Sequence, residues 1–122
     1  MGKRGRARAR EDKLAAPTTD YTGPDDSVLT LRGAMTPKTR AQYAATLAGT
    51  GGWSQSQEDA WHRAVEFLFE RLAVRWVVAG VPTERQQELL ARLRVATPDE
   101  RAWIRGVLRE HIAANFPDVE AP

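Results

Sequence analysis

The sequence predicts a mainly α-helical protein: a small bundle of about four helices around a long central helix, with a short N-terminal β-hairpin. The longest helical signal is residues 54–80, where apolar side chains recur at helical spacing on more than one side. Thr36 and Thr97 each precede a proline, the arrangement of a capped helix start. Residues 18–32 instead favour extended structure around a central turn.

The N-terminus is predicted to be a basic, flexible arm over residues 1–17. The first 13 residues carry six basic and two acidic side chains, whereas the 122-residue chain as a whole has a net charge of +2. The arm has no apolar stripe that would hold it against a folded body. Residues 18–122 are therefore expected to form a single helical domain.

The first predicted elements of that domain are a hairpin over residues 18–32 and a helix over residues 37–48. The hairpin turns at Gly23-Pro24-Asp25-Asp26, a strong turn sequence. In the helix, Thr36 is the expected N-cap, Pro37 occupies the first turn, and Gly49 ends it.

The central helix is predicted over residues 55–79. Ser54 and Gln57 have the spacing of a capping box, and Gly80 followed by Pro82 would end the helix. One side of this helix carries Trp61, Val65, Leu68, Phe69, Leu72 and Trp76. Phe67, Val74 and Val78 fall on nearly the opposite side, so the helix should be covered on two sides.

This second apolar side predicts self-association. Because a four-helix monomer has few elements left to cover Phe67, Val74 and Val78, we expect a homodimer through the long helix, with Trp53 beside it. The alternative is that one well-packed monomer buries all four tryptophans, which are Trp53, Trp61, Trp76 and Trp103.

Two further helices are predicted over residues 84–95 and 98–115. Thr83 and Gln86 suggest a capping box for the first, and Thr97, Pro98 and Glu100 give a clearer one for the second. The short connection makes them an αα-hairpin. Gly106, inside the last helix, suggests close approach of another backbone.

Composition excludes several classes of function. There are no cysteines, so disulfides, thiolate catalysis and cysteine-based zinc sites are excluded. The most apolar run contains four charged residues, so we expect no membrane span, and no leader is expected either. These observations predict a cytoplasmic protein without a cofactor or a small-molecule substrate.

A polar stripe on the central helix is a weak candidate for metal chemistry. Glu58, His62, Glu66 and Glu70 recur every four residues, which places them on one side of a helix. A helical-bundle metal site needs matching ligands from other helices, and His111 offers little, since it lies at the edge of an apolar face. A solvated polar face is the preferred interpretation, and no enzyme is expected.

Nucleic-acid binding is the alternative function. The arm residues Lys3, Arg4, Arg6, Arg8 and Arg10 could contact phosphates without reading sequence, but a disordered solubilising tail is the preferred interpretation. Arg101, Arg105 and Arg109 form a row on the last helix that could add backbone contacts, but Glu100 and Glu110 flank it.

The leading hypothesis is therefore a non-enzymatic protein-interaction or regulatory module, dimeric through the long helix. The alternative is an accessory nucleic-acid-binding protein that uses the arm and the arginine row.

Overall fold

A computed structural model describes residues 17–49 and 57–122. This part of the chain folds into four strands and four α-helices. In chain order they are β1 (Thr18–Thr22), β2 (Val28–Arg32), α1 (Pro37–Ala48), α2 (Gln57–Leu72), β3 (Ala73–Val78), β4 (Val81–Thr83), α3 (Gln86–Arg94) and α4 (Pro98–Asn115). None of these helices is long and apolar enough to cross a lipid bilayer.

The predicted helical bundle with a short hairpin is wrong: the fold is mixed α/β. The four strands form one antiparallel sheet in the order β1-β2-β3-β4. The β1–β2 hairpin is thus half of a larger sheet, because β3 pairs with β2 after the chain has passed through α1 and α2. A two-stranded hairpin is marginal in water, and the second pair of strands supplies the missing partners.

The predicted helix over residues 55–79 is also wrong, since α2 ends at Leu72 and the chain continues directly as β3. The sequence of β3, Ala-Val-Arg-Trp-Val-Val, is rich in β-branched residues. Trp76 is compatible with a helix and with a strand. It lies four residues after Leu72, which is helical spacing, and its side chain is buried on one face of β3. Pairing of β3 with β2 decides the outcome in favour of the strand.

A tight turn then joins β3 to β4. Val78 pairs with Val81, and the two residues between them, Ala79 and Gly80, have φ angles of 51° and 78°. Two positive φ values are typical of the type I′ turns that connect antiparallel strands. Gly80 therefore serves a hairpin and not the end of a helix.

One face of the sheet packs against the helices to form the core. In β2 the alternating residues Leu29 and Leu31 are fully buried. On the neighbouring strand β3, the buried Trp76 pairs with Leu29. The helices contribute the remaining large buried side chains, which are Tyr43, Leu68, Phe69, Leu72, Leu89, Leu93, Ile104, Val107, Leu108 and Ile112, and Phe116 follows α4. The opposite face carries polar pairs such as the hydrogen bond from Thr30 to Asp20.

The β1–β2 turn is held against α4 by Trp103. A Cβ atom added to Gly23 would lie 2.4 Å from the Trp103 ring, so no larger residue fits there without displacing the ring. Asp25 and Asp26, in the same turn, have φ angles of 56° and 58°. Aspartate tolerates this left-handed conformation better than most residues.

The α3–α4 hairpin shows one predicted cap and lacks another. Thr83 lies in β4, so the capping box predicted from Thr83 to Gln86 does not form, and α3 begins after Arg85 without a side-chain cap. The box between Thr97 and Glu100 is confirmed. The Glu100 carboxylate also accepts a 2.6 Å hydrogen bond from Arg92, whose guanidinium lies over the Trp76 ring. This chain of contacts ties β3, α3 and α4 together.

Candidate functional site: a groove beside helix α4

An open groove of about 670 Å³ lies between α2, the end of α3 and the first half of α4. Its lining is mainly apolar, with arginine, histidine and glutamate side chains at the edge. The lining residues are His62, Val65, Glu66, Leu93, Ala96, Pro98, Arg101, Ala102 and Arg105. A volume of this size, with an apolar floor and few polar groups, is typical of binding sites in proteins.

Two arginines on one wall give the groove its positive charge. Arg101 and Arg105 lie one turn apart on α4. Arg101 donates a 2.6 Å hydrogen bond to the main-chain oxygen of Arg94, and Arg105 lies over the Trp61 ring at 5.0 Å. Because these neutral partners orient the guanidinium groups without cancelling their charge, both remain able to bind a carboxylate.

The acidic side chain in the groove already has a cationic partner. The Glu66 carboxylate lies 3.5 Å from the Arg94 guanidinium, and both side chains are substantially exposed. His62, also exposed, lies 3.9 Å from Glu58. The charge of Glu66 is therefore balanced from α3, and Arg101 and Arg105 leave the α4 wall positive.

Beyond α4 and Phe116, the C-terminal segment, defined as residues 117–122, folds back along the helix. Arg40 of α1 forms a 3.1 Å ion pair with Asp118, and the Tyr43 hydroxyl donates a 2.6 Å hydrogen bond to the main-chain oxygen of Glu120. Burial raises the pKa of Tyr43, which keeps its hydroxyl a donor. The segment therefore bridges α1 and α4.

Pro122, the last residue of this segment, accepts hydrogen bonds from two arginines of α4. Arg109 donates a 2.6 Å hydrogen bond to the main-chain oxygen of Pro122, and Arg105 donates a longer one of 3.4 Å to the same atom. Arg105 consequently belongs both to the groove and to the surface covered by the C-terminal segment.

His111 forms a buried polar network under the sheet and is fully inaccessible to solvent. Its Nε2 lies 2.7 Å from the main-chain oxygen of Arg32, and its Nδ1 lies 2.8 Å from the Tyr21 hydroxyl and 3.1 Å from the Asn115 amide nitrogen. Neutral imidazole satisfies this arrangement when Nε2 carries the proton and Nδ1 accepts. Burial lowers the pKa of His111, partly offset by the hydrogen bond to Arg32. The network joins β1 and β2 to α4.

The predicted arginine row turns its guanidinium groups towards the protein. Arg101, Arg105 and Arg109 each donate to a main-chain oxygen, of Arg94 or of Pro122. The three are neighbours, as the helical spacing predicts, but their contacts hold chain segments together. These contacts orient the guanidinium groups without neutralising their charge.

Phe67, Val74 and Val78, the residues predicted to bind a second chain, share no helical face. Phe67 is half-buried on α2 and stacks against the Tyr43 ring, with centroids 6.3 Å apart. Val74, in β3, lines a separate cavity of about 470 Å³, and Val78 packs against the core at the β3–β4 turn. The reason given for a dimer, a helix apolar on two sides, therefore does not exist.

The acidic stripe does not converge on a common centre. Glu66 pairs with Arg94, Glu58 lies near His62, and the main-chain oxygen of Glu70 accepts a hydrogen bond from Gln86. Within residues 17–49 and 57–122, no group of three or more histidine, aspartate or glutamate side chains is placed to hold a metal ion.

The remaining predicted site residues lie outside the described residues. They are Trp53 and the arm residues Lys3, Arg4, Arg6, Arg8 and Arg10. Of the predicted arm, the structure describes Pro17, whose main-chain oxygen accepts a hydrogen bond from Gly33.

Comparison of the chain with protein-family models, curated proteins and solved structures found no match.

Sequence reasoning missed the groove because its walls come from three helices whose mutual angles no local pattern specifies. It identified Arg101 and Arg105 as notable, and it assigned His62 and Glu66 to a polar stripe. The sequence signal for the groove was the combination of those two sets with two small residues, Ala96 in the α3–α4 connection and Ala102 on α4.

Proposed function

We propose that this protein is a non-enzymatic interaction module that binds an apolar segment of a partner protein through the groove beside α4. The observation that carries the proposal is the pairing of an apolar floor with two oriented arginines on one wall. The floor favours an aliphatic or aromatic side chain, and the arginines favour an aspartate or glutamate near it. The partner segment therefore combines both.

The arrangement favours binding over a chemical step. Arg101 and Arg105 are permanently charged and cannot serve as proton donors or acceptors near neutral pH. The His62 side chain is exposed, and its described neighbour is the Glu58 carboxylate, 3.9 Å away. The groove supplies shape and positive charge, which are the ingredients of recognition.

Selection from a library of displayed random 12-residue peptides tests the proposal. The wild-type protein should enrich peptides that combine apolar residues with aspartate or glutamate. Ala102→Trp, which fills the groove from an exposed position on α4, should bind the enriched peptides at least about tenfold more weakly. Ala113→Trp places the same side chain at an exposed position of α4 outside the groove and should bind normally. Equal binding by all three proteins would refute the site.

The charge requirement is tested separately with the same peptides. Arg101→Glu should weaken binding because it reverses one of the two charges on the wall, and increasing salt should reduce the difference from wild type. Arg85→Glu, an exposed change at the start of α3, is the matched control. Peptides without acidic residues that bind as tightly as acidic ones would overturn the role given to the arginines.

Nucleic-acid binding is not favoured by any contact in the described residues. Its basis is the charge of residues 1–13 and of the arginine row, whose guanidinium groups also contact main-chain oxygens. Binding to random duplex DNA at two salt concentrations, with and without those residues, measures it independently of the groove. Light scattering on the same samples measures the oligomeric state.

A further inference from the structure

We propose that the surface of α1 and α4 covered by residues 117–122 is a second peptide-binding site, filled in cis, which accepts a short acidic, proline-containing peptide from a partner protein. It is distinct from the groove, although Arg105 reaches both. The chain's own segment Pro-Asp-Val-Glu-Ala-Pro shows what chemistry the surface recognises.

Main-chain recognition provides the first argument. Tyr43 and Arg109 both donate to backbone oxygens, those of Glu120 and Pro122. Every peptide carries backbone carbonyls like that of Glu120, so the hydrogen bond from Tyr43 does not require this particular chain. The donor side chains lie on two helices that are already anchored in the core, and the surface is therefore formed before the peptide is in place.

Side-chain recognition is limited and acidic. Arg40 pairs with Asp118, and the smaller side chains of Val119 and Ala121 pack against the edge of the core. This combination selects an acidic residue followed by small apolar ones. The strongest apolar anchor, Phe116, precedes the segment, is nearly inaccessible to solvent and lies beneath Arg40. Displacement of residues 117–122 can leave it in place.

The segment is suited to exchange because it forms no helix or strand. Its attachment consists of main-chain hydrogen bonds from Tyr43, Arg109 and Arg105, the packing of Val119, Ala121 and the buried Pro122, and an ion pair between exposed groups, which is a weak interaction in water. Tethering nevertheless gives it an effective concentration of roughly millimolar, so a free peptide must compete with it.

Fluorescence anisotropy with a labelled peptide of residues 117–122 tests the proposal on the full-length protein. Wild type should bind the peptide weakly. A chain with a loosened segment (Asp118→Ala, Val119→Gly and Ala121→Gly) should bind it about tenfold or more tightly, since the internal competitor is weakened. Adding Arg109→Ala or Tyr43→Phe to the loosened chain should reduce affinity by about threefold to tenfold or more. Arg85→Ala should change nothing.

The site would be overturned if the loosened chain keeps the circular dichroism spectrum of wild type but does not bind the peptide. It would also be overturned if Arg109→Ala and Tyr43→Phe leave the peptide affinity of the loosened chain unchanged. A second measurement does not depend on the variants. Excess peptide added to wild type should accelerate amide hydrogen exchange within residues 118–121 and leave α4 unchanged. Unchanged exchange at saturating peptide would also overturn it. Ala102→Trp should not affect either experiment, which separates this site from the groove.

Discussion

His111 provides the sharpest prediction for stability, because an imidazole is buried with both ring nitrogens in hydrogen bonds. His111→Ala leaves the oxygens of Arg32 and Tyr21 without their partner and opens a cavity under the sheet. Because the Asn115 amide also loses its contact with Nδ1, three lost hydrogen bonds of about 1 kcal/mol each, together with the lost packing, predict destabilisation by about 3–5 kcal/mol. Tyr21→Phe removes one hydrogen bond and should cost about 1 kcal/mol. Urea unfolding monitored by circular dichroism measures both changes.

The same network predicts how stability depends on pH. Since burial lowers the pKa of His111 in the folded state from 6.5, the unfolded chain binds its proton first as the pH falls. The stability contribution is complete above pH 6.5 and decreases below it, with a slope of at most about 1.4 kcal/mol per pH unit, until the folded pKa is reached. Tyr21, whose hydroxyl contacts His111, is the titratable neighbour, and the charge of Glu110 acts on Tyr21.

His111→Gln isolates this effect, since glutamine keeps a donor and an acceptor but does not titrate in this range. The unfolding free energy of wild type should fall more steeply than that of His111→Gln between about pH 7 and pH 5. Parallel curves for the two proteins would refute a neutral, buried His111.

Four further substitutions test other parts of the fold by the same unfolding measurement. Glu100→Ala removes the capping partner of the Thr97 amide and the ion pair with Arg92, and it should destabilise by about 1–2 kcal/mol. Gly106→Ala should stabilise by about 0.5–1 kcal/mol, because no described atom lies within 4 Å of the added Cβ. Ala79→Asn should stabilise by roughly 1 kcal/mol, since asparagine tolerates the positive φ of the β3–β4 turn. Gly23→Ala should destabilise by about 1–3 kcal/mol through its collision with the Trp103 ring.

The starts of α1 and α4 were predictable because their signals are local. The Thr97-Pro98 start of α4 has its cap, its proline and its Glu100 within four residues, and the structure forms the capping box. Thr36 likewise accepts a hydrogen bond from the Thr39 amide at the start of α1. No tertiary contact is needed to explain either cap.

The change from α2 to β3 was not predictable in the same way. No glycine or proline separates Leu72 from Ala73, and Trp76 continues the helical spacing. The decisive partner is β2, more than 40 residues earlier in the chain, which pairs Leu29 with Trp76. Strand preference depends on such context more than helix preference does. Gly106 was misread for a related reason, since only the structure shows open space beside it.

The candidate site illustrates the same limit. Helical spacing placed Arg101, Arg105 and Arg109 on one side of α4. The spacing does not predict which atoms accept hydrogen bonds from their guanidinium groups. Those partners are main-chain oxygens of Arg94 and Pro122, one from the preceding helix and one from the C-terminal segment. The assignment to phosphate binding followed from charge alone, whereas the geometry indicates anchored donors beside an apolar groove.

Arg105 determines whether the two proposed sites act independently. Its Nε contact with the Pro122 oxygen is 3.4 Å, longer than the 2.6 Å contact of Arg109 with the same atom. An acidic group in the groove can therefore recruit Arg105 while Arg109 continues to hold the segment. If recruitment weakens the segment, thermodynamic linkage requires that displacement of the segment strengthen groove binding by the same factor. The Arg105 contact is longer than that of Arg109, so it should contribute no more than one weak hydrogen bond. We therefore expect displacement of the segment to raise the affinity of the groove by about threefold or less. Titrating a groove peptide with and without the peptide of residues 117–122 measures it, and a factor of ten or more would show that Arg105, and not Arg109, holds the segment.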